Sequence, residues 1–228
     1  MSTSSASSSV PASIPGCSPE CSSGISNPGD LPQGRYTTSY FFDGHLTVFF
    51  PAGWVSQEDQ PVEFNAAPKA EAGTHEVRFW ADPFPVVLNK AGTPVRVAGV
   101  AMNAAAVVRW LRANPDLQVS ASHDAEIGRG RLPATMVDVA ISHNAANEDP
   151  GCPARVCVVL FSWPNAGQNS FGWGGQTIVR LYLADVAYGG KPHLFVVEAD
   201  MGRPAELGAF APAVERLLAS VRAPVTPR

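Results

Sequence analysis

The sequence predicts an α+β domain in which an antiparallel β-sheet of about seven strands packs against two main helices. After residue 31 the chain alternates short β-rich runs with turn residues, and only two segments have the spacing of an amphipathic helix. Short connections between strands favour antiparallel pairing. Helices that cover such a sheet bury its apolar side chains, so we expect a sandwich of sheet and helices.

Length and composition favour one globular domain preceded by a linker. Residues 1–30 are rich in Ser and Pro and are predicted to be disordered, residues 31–223 to form a single domain, and residues 224–228 to be a tail. Hydrophobic residues make up 45% of the chain and charged residues 16%, which is enough apolar material for a core. The net charge of −4 argues against a nucleic-acid partner. No apolar run approaches the ~18 residues of a membrane-spanning segment.

In the first half, strands are predicted at residues 46–50, 62–64 and 76–81, and Pro51 and Gly53 turn the chain after the first of them. The first helix is predicted from five apolar residues that share one helical face: Val100, Ala104, Val107, Val108 and Leu111. Pro115 should end this helix.

The second half is predicted to be mostly strand. β-Branched residues and alternation indicate strands at residues 117–120, 134–142, 156–161, 177–186 and 193–200. The last element is predicted to be a helix with Pro212 in its first turn. Its core face should consist of Val214, Leu217, Leu218 and Val221.

The four cysteines form two close pairs, Cys17 with Cys21 and Cys152 with Cys157. Neither pair has the C-x-x-C spacing of a structural zinc site. Close pairs in a Ser/Pro-rich chain with few lysines favour an oxidising compartment, and we predict a Cys152–Cys157 disulfide. The alternative is a pair of free, half-buried thiols.

The residues that begin the chain do not have the cationic and apolar regions of a signal peptide. Two expectations follow. Either the protein is exported by a signal that this sequence does not include, or it is cytoplasmic.

Four stretches resemble a family of secreted or lipid-anchored domains of actinobacterial type. They are "LPQGRYTTSYFFDGHLTVFFPAGW", "VVRWLRANPDLQVS", "AEIGRGRLPATMVDVAI" and "VERLLASVR". The resemblance implies a PsbP-like α/β/α sandwich, as in mycobacterial lipoproteins of the LpqN type. It also implies a non-catalytic accessory or binding domain, located outside the cell or in its envelope, with a possible lipid anchor upstream.

Known catalytic signatures are missing from the sequence. It contains no G-x-S-x-G, no G-x-x-x-x-G-K-[ST] and no G-x-G-x-x-G after a strand. None of the five histidines has a second histidine two or four residues away, and residues 143–151 lack the ligand order of a calcium loop. We therefore predict no metal and no cofactor. Adjacent Glu58 and Asp59 should point to opposite faces of a strand and so should not act as a catalytic pair.

Three charged residues lie in the middle of predicted strands: Asp138, Arg180 and Glu198. If their strands are neighbours, an acid–base–acid row crosses one face of the sheet. One interpretation is a cross-strand ion pair on an exposed face. The other is the polar floor of a ligand cleft.

Trp163 and Trp173 lie in a stretch rich in Gly, Asn, Ser and Pro, between two predicted strands. A loop of this length needs an apolar anchor, which the two indoles could provide. Alternatively, exposed indoles beside polar residues could stack on a ligand or partner.

These observations lead to two functional hypotheses. The first is a non-catalytic extracytoplasmic domain that binds a protein or a small molecule through Trp163, Trp173 or the charged row. The alternative is a hydrolase that uses scattered carboxylates in a cleft, which would need a carboxyl group of raised pKa beside a second acid.

Overall fold

The computed structural model describes residues 21–22, 29–71, 75–128, 132–145, 156–163, 171–175 and 177–228. The described residues form two α-helices, α1 (Ala104–Ala113) and α2 (Leu207–Ser220), and a short 3-10 helix (Phe41–Gly44). The strands of the first half are β1 (Cys21–Ser22), β2 (Gly29–Leu31), β3 (Gly34–Thr37), β4 (Thr47–Phe50), β5 (Trp54–Asp59), β6 (Glu63–Pro68), β7 (Glu76–Ala81), β8 (Phe84–Leu88) and β9 (Pro94–Arg96). Those of the second half are β10 (Leu117–Val119), β11 (His123–Ile127), β12 (Leu132–Ile141), β13 (Cys157–Ser162), β14 (Phe171–Gly174), β15 (Ile178–Tyr188), β16 (Lys191–Asp200) and β17 (Thr226–Pro227).

Over the described residues the main sheet has ten strands rather than about seven. Eight of them lie in the order β10-β12-β15-β16-β7-β6-β5-β2, while β11 pairs with β12 and β17 with β15. All of these pairings are antiparallel, so the predicted α+β class is confirmed. The prediction undercounted the strands of this sheet because several are short: β2 and β17 have two or three residues and contain Gly or Pro, and β11 is largely polar and exposed.

Two smaller sheets flank the main one. The first contains β1, β3 and β4, and the second has the order β14-β13-β8-β9. Among the described strands, β14 pairs with β13 alone and is therefore an edge strand of the second sheet. This second sheet lies on the same side of the main sheet as α1, because Leu160 and Trp173 share a core cluster with Val107 and Leu111.

The main sheet has an apolar core on each face. Residues on the α2 side include Phe79, Tyr182, Phe195 and Val214. The α1 side includes Trp80, Leu181 and Val196. Alternate residues of one strand point to opposite faces, so β15 and β16 are apolar on both sides and are buried as in a sandwich. One helix therefore packs against each face of the main sheet.

Helix α1 begins and ends where its capping residues require. The Asn103 side chain accepts a hydrogen bond from the Ala106 amide at 2.9 Å, and Asp185 Oδ1 accepts one from the Ala104 amide at 2.9 Å. Both oxygens serve amides that have no partner within the helix. The helix stops before Pro115, as predicted, because the residue before a proline avoids the helical conformation.

Helix α2 begins earlier than predicted. It starts at Leu207, so Pro212 lies inside the helix and not in its first turn. The predicted core face is otherwise correct, since Val214, Leu217, Leu218 and Val221 are buried. Neither helix in the described part of the chain has the length and apolarity to cross a membrane.

Two short strand pairings involve residues that the sequence places in the linker and in the tail. Cys21–Ser22, placed by the sequence in the linker, pairs in parallel with β3. Thr226–Pro227, placed in the tail, pairs with Ala187 and Val186 of β15. These two-residue pairings use main-chain groups alone, which composition does not reveal.

Candidate functional site

A row of polar side chains crosses the α1-side face of the main sheet. Glu58 of β5 is paired with Asn65 of β6, Asn65 with Arg78 of β7, and Arg78 with Glu198 of β16. Directly paired residues point to the same face, so these four side chains form one line across four strands. Three further acids lie on the same face, each two residues along its strand from a member of this line: Glu63, Glu76 and Asp200. We call these residues the Arg78 cluster.

Arg78 is the cation at the centre of this cluster. Its Nη1 lies 3.0 Å from Glu198 Oε1, its Nε lies 3.6 Å from Glu63 Oε1, and it also contacts Glu76. The side chains of all three glutamates are at least 88% buried. A guanidinium group suits this position because its fork of donors can serve several carboxylates at once.

Glu198 is the most deeply buried acid of the cluster, with 1% of its surface exposed. Besides Arg78 it accepts hydrogen bonds from two indoles, Trp80 Nε1 at 3.2 Å and Trp173 Nε1 at 3.2 Å. A buried carboxylate is tolerated when donors of this kind replace its lost hydration.

Four acids of the cluster have raised pKa values: Glu63, Glu76, Glu198 and Asp200. Burial, followed by the nearby charge of Glu58, raises the pKa of Glu63 to about 8 although Arg78 opposes the shift. Burial likewise raises the pKa of Glu198 to about 7 against the effect of Arg78. Burial also raises the pKa of Glu76 and of Asp200. Desolvation therefore outweighs the single guanidinium, and the cluster retains protons near neutral pH.

Strand β14 covers the cluster with aromatic rings. The Arg78 guanidinium lies 4.3 Å from the centre of the Phe171 ring, which is a cation–π contact. Phe171 in turn packs on Trp80 at 5.3 Å between ring centres. Trp173 is 96% buried and contacts Phe161 at 6.3 Å. The cluster is therefore closed on this side by β14.

The two tryptophans of the sequence prediction both act as anchors. Trp173 packs in the α1-side core and donates to Glu198, while Trp163 packs on Trp80 with 5.2 Å between ring centres. Residues 164–170 between them lie outside the described chain. Trp173 is not available for ligand stacking in this conformation, and ligand contact by the half-buried Trp163 stays a prediction.

The pairing of β14 with β13 depends on Gly172. A Cβ atom at Gly172 would lie 2.2 Å from the Val158 carbonyl oxygen and 2.8 Å from the Val159 Cα. Both are main-chain atoms that cannot rotate away. We predict that Gly172→Ala displaces β14 and lowers the free energy of unfolding by about 1–3 kcal/mol, as overpacking does elsewhere.

Urea denaturation monitored by tryptophan fluorescence measures this change. The matched control is Gly208→Ala in α2, where a Cβ meets nothing within 4 Å and alanine favours the helix by about 1 kcal/mol. Equal stability of the two variants would contradict the role given to Gly172.

The structure separates the three charged residues of the predicted row. Asp138 is paired with Arg180, and the two make a bidentate ion pair with distances of 2.7 and 3.0 Å. Glu198, however, is paired with Leu181 and not with Arg180. This offset of one residue puts Glu198 on the opposite face of the sheet from Arg180, so the acid–base–acid row does not form.

The acidic pair Glu58 and Asp59 diverges as predicted. Glu58 belongs to the Arg78 cluster, whereas the Asp59 carboxylate accepts hydrogen bonds from the amides of Ser39, Tyr40 and Phe41 near the 3-10 helix. Cys152 lies outside the described residues, so the Cys152–Cys157 disulfide stays a prediction. Within the described residues, no group of three or more His, Cys, Asp or Glu side chains could hold a metal ion.

A pocket of about 620 Å³ opens at the end of the main sheet. Its floor is a cross-strand row in which Gln118 is paired with Ala140 and Ala140 with Ile178. Its other described lining residues are Ile141, Ser142, His143, Asn144, Ala145, Val156, Gly175, Thr177 and Pro204. The described lining is mainly apolar, with hydroxyl, amide and imidazole groups and no carboxyl group.

The pocket adjoins both features that the sequence singled out. Asp138 and Arg180 lie two residues along the strands from Ala140 and Ile178, on the same face, but do not belong to the described lining. Gly175, which does line the pocket, directly follows β14. The pocket is a site that sequence reasoning missed, because its described lining residues come from five separate parts of the chain with no common motif.

The fold and the pocket define an α+β domain with a cavity of ligand size. No protein-family model and no curated protein matches the chain. Among solved structures, the solution structure of cyanobacterial PsbP (CyanoP) from Synechocystis sp. PCC 6803 is similar to 90% of this chain and 99% of its own, with 9% identity and a TM-score of 0.42. That protein is a PsbP, the family whose sandwich the sequence resemblance implies, but a likeness at this TM-score carries no conclusion about this chain.

Proposed function

We propose that this chain is a non-catalytic accessory or binding domain that works outside the cytoplasm and takes a small, mainly apolar molecule in the 620 Å³ pocket. One observation carries the proposal. The pocket has the size and the mainly apolar lining of small-molecule sites, and its described polar groups are hydrogen-bonding groups of the kind that orient a ligand. Location outside the cytoplasm is supported by the Ser/Pro-rich start and the paired cysteines of the sequence.

The acids with raised pKa do not favour the hydrolase alternative. Glu63 and Glu198 both form ion pairs with Arg78, and Glu198 also accepts a hydrogen bond from Trp173 of β14. A smaller pocket of about 230 Å³ includes Asp124 and Asp185, but Asp185 already accepts the Ala104 amide at the start of α1. A general hydrolase screen of the full chain is expected to show no turnover, and turnover abolished by Asp124→Asn would overturn the proposal.

Filling the pocket should prevent binding. We predict that the unmodified chain binds the apolar fluorescent dye 1-anilinonaphthalene-8-sulfonate and that Ala140→Phe weakens this binding at least ~10-fold, because a ring of this size at the floor removes the space and its apolar contacts. Fluorescence titration gives the dissociation constants. The phenyl group is compatible with a strand, so Ala140→Phe should keep the fold.

The matched control is Ala187→Phe, at the far end of β15 where Ala187 pairs with Pro192. This variant should bind the dye as the unmodified chain does. If both variants bind equally well, the dye does not occupy the pocket and the proposed site is wrong.

A further inference from the structure

Strand β14 is held on one side by main-chain pairing and on the other by the Arg78 cluster. Its only strand neighbour in the described chain is β13, and that pairing is irregular between Val159 and Phe161. Its inward side chains, Phe171 and Trp173, contact Arg78 and Glu198. The edge position makes β14 the element that can separate from the cluster with the loss of fewest hydrogen bonds.

The charges that β14 covers are unbalanced. The cluster holds one cation, Arg78, and carboxyl groups from β5, β6, β7 and β16, while the described side chains of β14 contribute aromatic rings and no charge. The groups are Glu58 of β5, Glu63 of β6, Glu76 and Arg78 of β7, and Asp200 of β16, with His75 and Glu206 beside Asp200. If every carboxyl group were ionised, their charge would exceed that of the guanidinium in a poorly hydrated site.

An unpartnered amide oxygen lies in the same row. Asn65 is 95% buried and, within the described structure, its Oδ1 has no hydrogen-bond donor. Its strand neighbours in the row are Glu58 and Arg78. A protonated carboxyl group is a hydrogen-bond donor, and the acid with a raised pKa on the strand of Asn65 is Glu63, which hydrogen-bonds with the Glu58 side chain.

We propose that the Arg78 cluster is a proton-binding site and that β14 is its proton-linked cover, closed while the carboxyl groups hold protons and loosened as they ionise. The same burial that β14 imposes makes ionisation costly. By linkage, ionisation must then disfavour the burial. On opening, Glu198 loses the Trp173 N–H, its proton passes to solvent and its carboxylate becomes hydrated, while the Trp173 N–H binds water.

The direction of the effect follows from the pKa values. In the closed state burial holds the pKa of Glu63 near 8 and the pKa of Glu198 near 7. The pKa of a hydrated glutamic acid is near its ordinary value of 4.5. The closed state therefore binds protons more tightly, and opening becomes more favourable as the pH rises from 4.5 toward 8. The hydrogen bond from Trp173 opposes this effect because it lowers the pKa of Glu198, but burial is the larger influence.

Hydrogen exchange of the β14 amides, measured by NMR on the full chain, tests the proposal. After correction for intrinsic exchange rates, the opening constant of β14 should increase about 10-fold or more between pH 5.5 and pH 7.5, since each carboxyl group that ionises on opening contributes up to ~10-fold per pH unit. The amides of β15 and β16 should change less, because they report opening of the main sheet.

Glu198→Gln and Glu63→Gln should each reduce this pH dependence, since the amide that replaces the carboxyl group does not titrate. Glu215→Gln on the exposed face of α2 is the matched control and should leave it unchanged. An opening constant of β14 that is independent of pH, or one that rises only in step with that of β15 and β16, would overturn the proposal. Having two independent glutamate variants keeps the test decisive if one of them does not fold.

Discussion

Arg78→Met is expected to lower the free energy of unfolding by about 3–5 kcal/mol at pH 8, the range found when one partner of a buried ion pair is removed. The methionine side chain occupies similar space, so the loss comes from charge and not from a cavity. Without the guanidinium, Glu63, Glu76 and Glu198 keep their burial but lose their cation. At pH 5 the loss should be smaller, because protonated glutamic acids do not need a cation. Urea denaturation at both pH values measures the difference.

Arg180→Met is the matched control for that experiment. Arg180 also pairs with a carboxylate, but the Asp138 side chain is 29% exposed, so water can hydrate it after the arginine is removed. The Arg180 side chain is 11% exposed, so this pair is partly buried, and its loss should lie between the ~1 kcal/mol of an exposed pair and the loss for Arg78→Met. Equal losses in the two variants, or a loss for Arg78→Met that does not depend on pH, would show that the cluster is not an unbalanced group of buried acids.

Sequence patterns predicted the long central strands well because those strands are buried on both faces. Residues 76–81 were predicted as a strand and form β7 with the same bounds, and the predictions for β15 and β16 differ from the structure only at their ends. Such strands are continuous apolar or β-branched runs, which local propensity alone identifies. The short strand β14 was missed because "FGWG" has the composition of a loop. Position 172 requires glycine because β14 passes close to the Val158 main chain, and this contact forms only when β13 pairs with β14.

The candidate site was only partly predictable because strand register is not encoded locally. Glu198 was identified correctly as a charge in an apolar strand, but it was grouped with Arg180, whose position is offset by one residue in the pairing. Its true partner, Arg78, carries the same local signal, because Glu76, Arg78 and Trp80 alternate with apolar residues in β7. A search for charged residues within every predicted strand would have found Arg78. The pocket, in contrast, gives no signal in the sequence.

The stability of the whole domain is expected to fall as the pH rises from 5 to 8. Glu63 and Glu198 have pKa values of about 8 and 7 in the folded chain and ordinary values near 4.5 when unfolded. The folded state therefore binds more protons over this range, and its stabilisation is present below pH 4.5 and lost as the pH passes through 7 and 8. At pH values between its unfolded and folded pKa values, each such carboxyl group contributes a slope of up to about −1.4 kcal/mol per pH unit to the free energy of unfolding.

In most globular proteins the ionisation of paired carboxylates increases the free energy of unfolding between acidic and neutral pH. A decrease over this range would therefore identify the contribution of the Arg78 cluster. Urea denaturation at four pH values between 5 and 8 gives the slope. Glu63→Gln should make it shallower, because the largest raised pKa is removed, whereas Glu215→Gln should not. A free energy of unfolding that stays constant or increases from pH 5 to 8 would mean that Arg78 neutralises its acids fully, and that the cluster holds no protons at neutral pH.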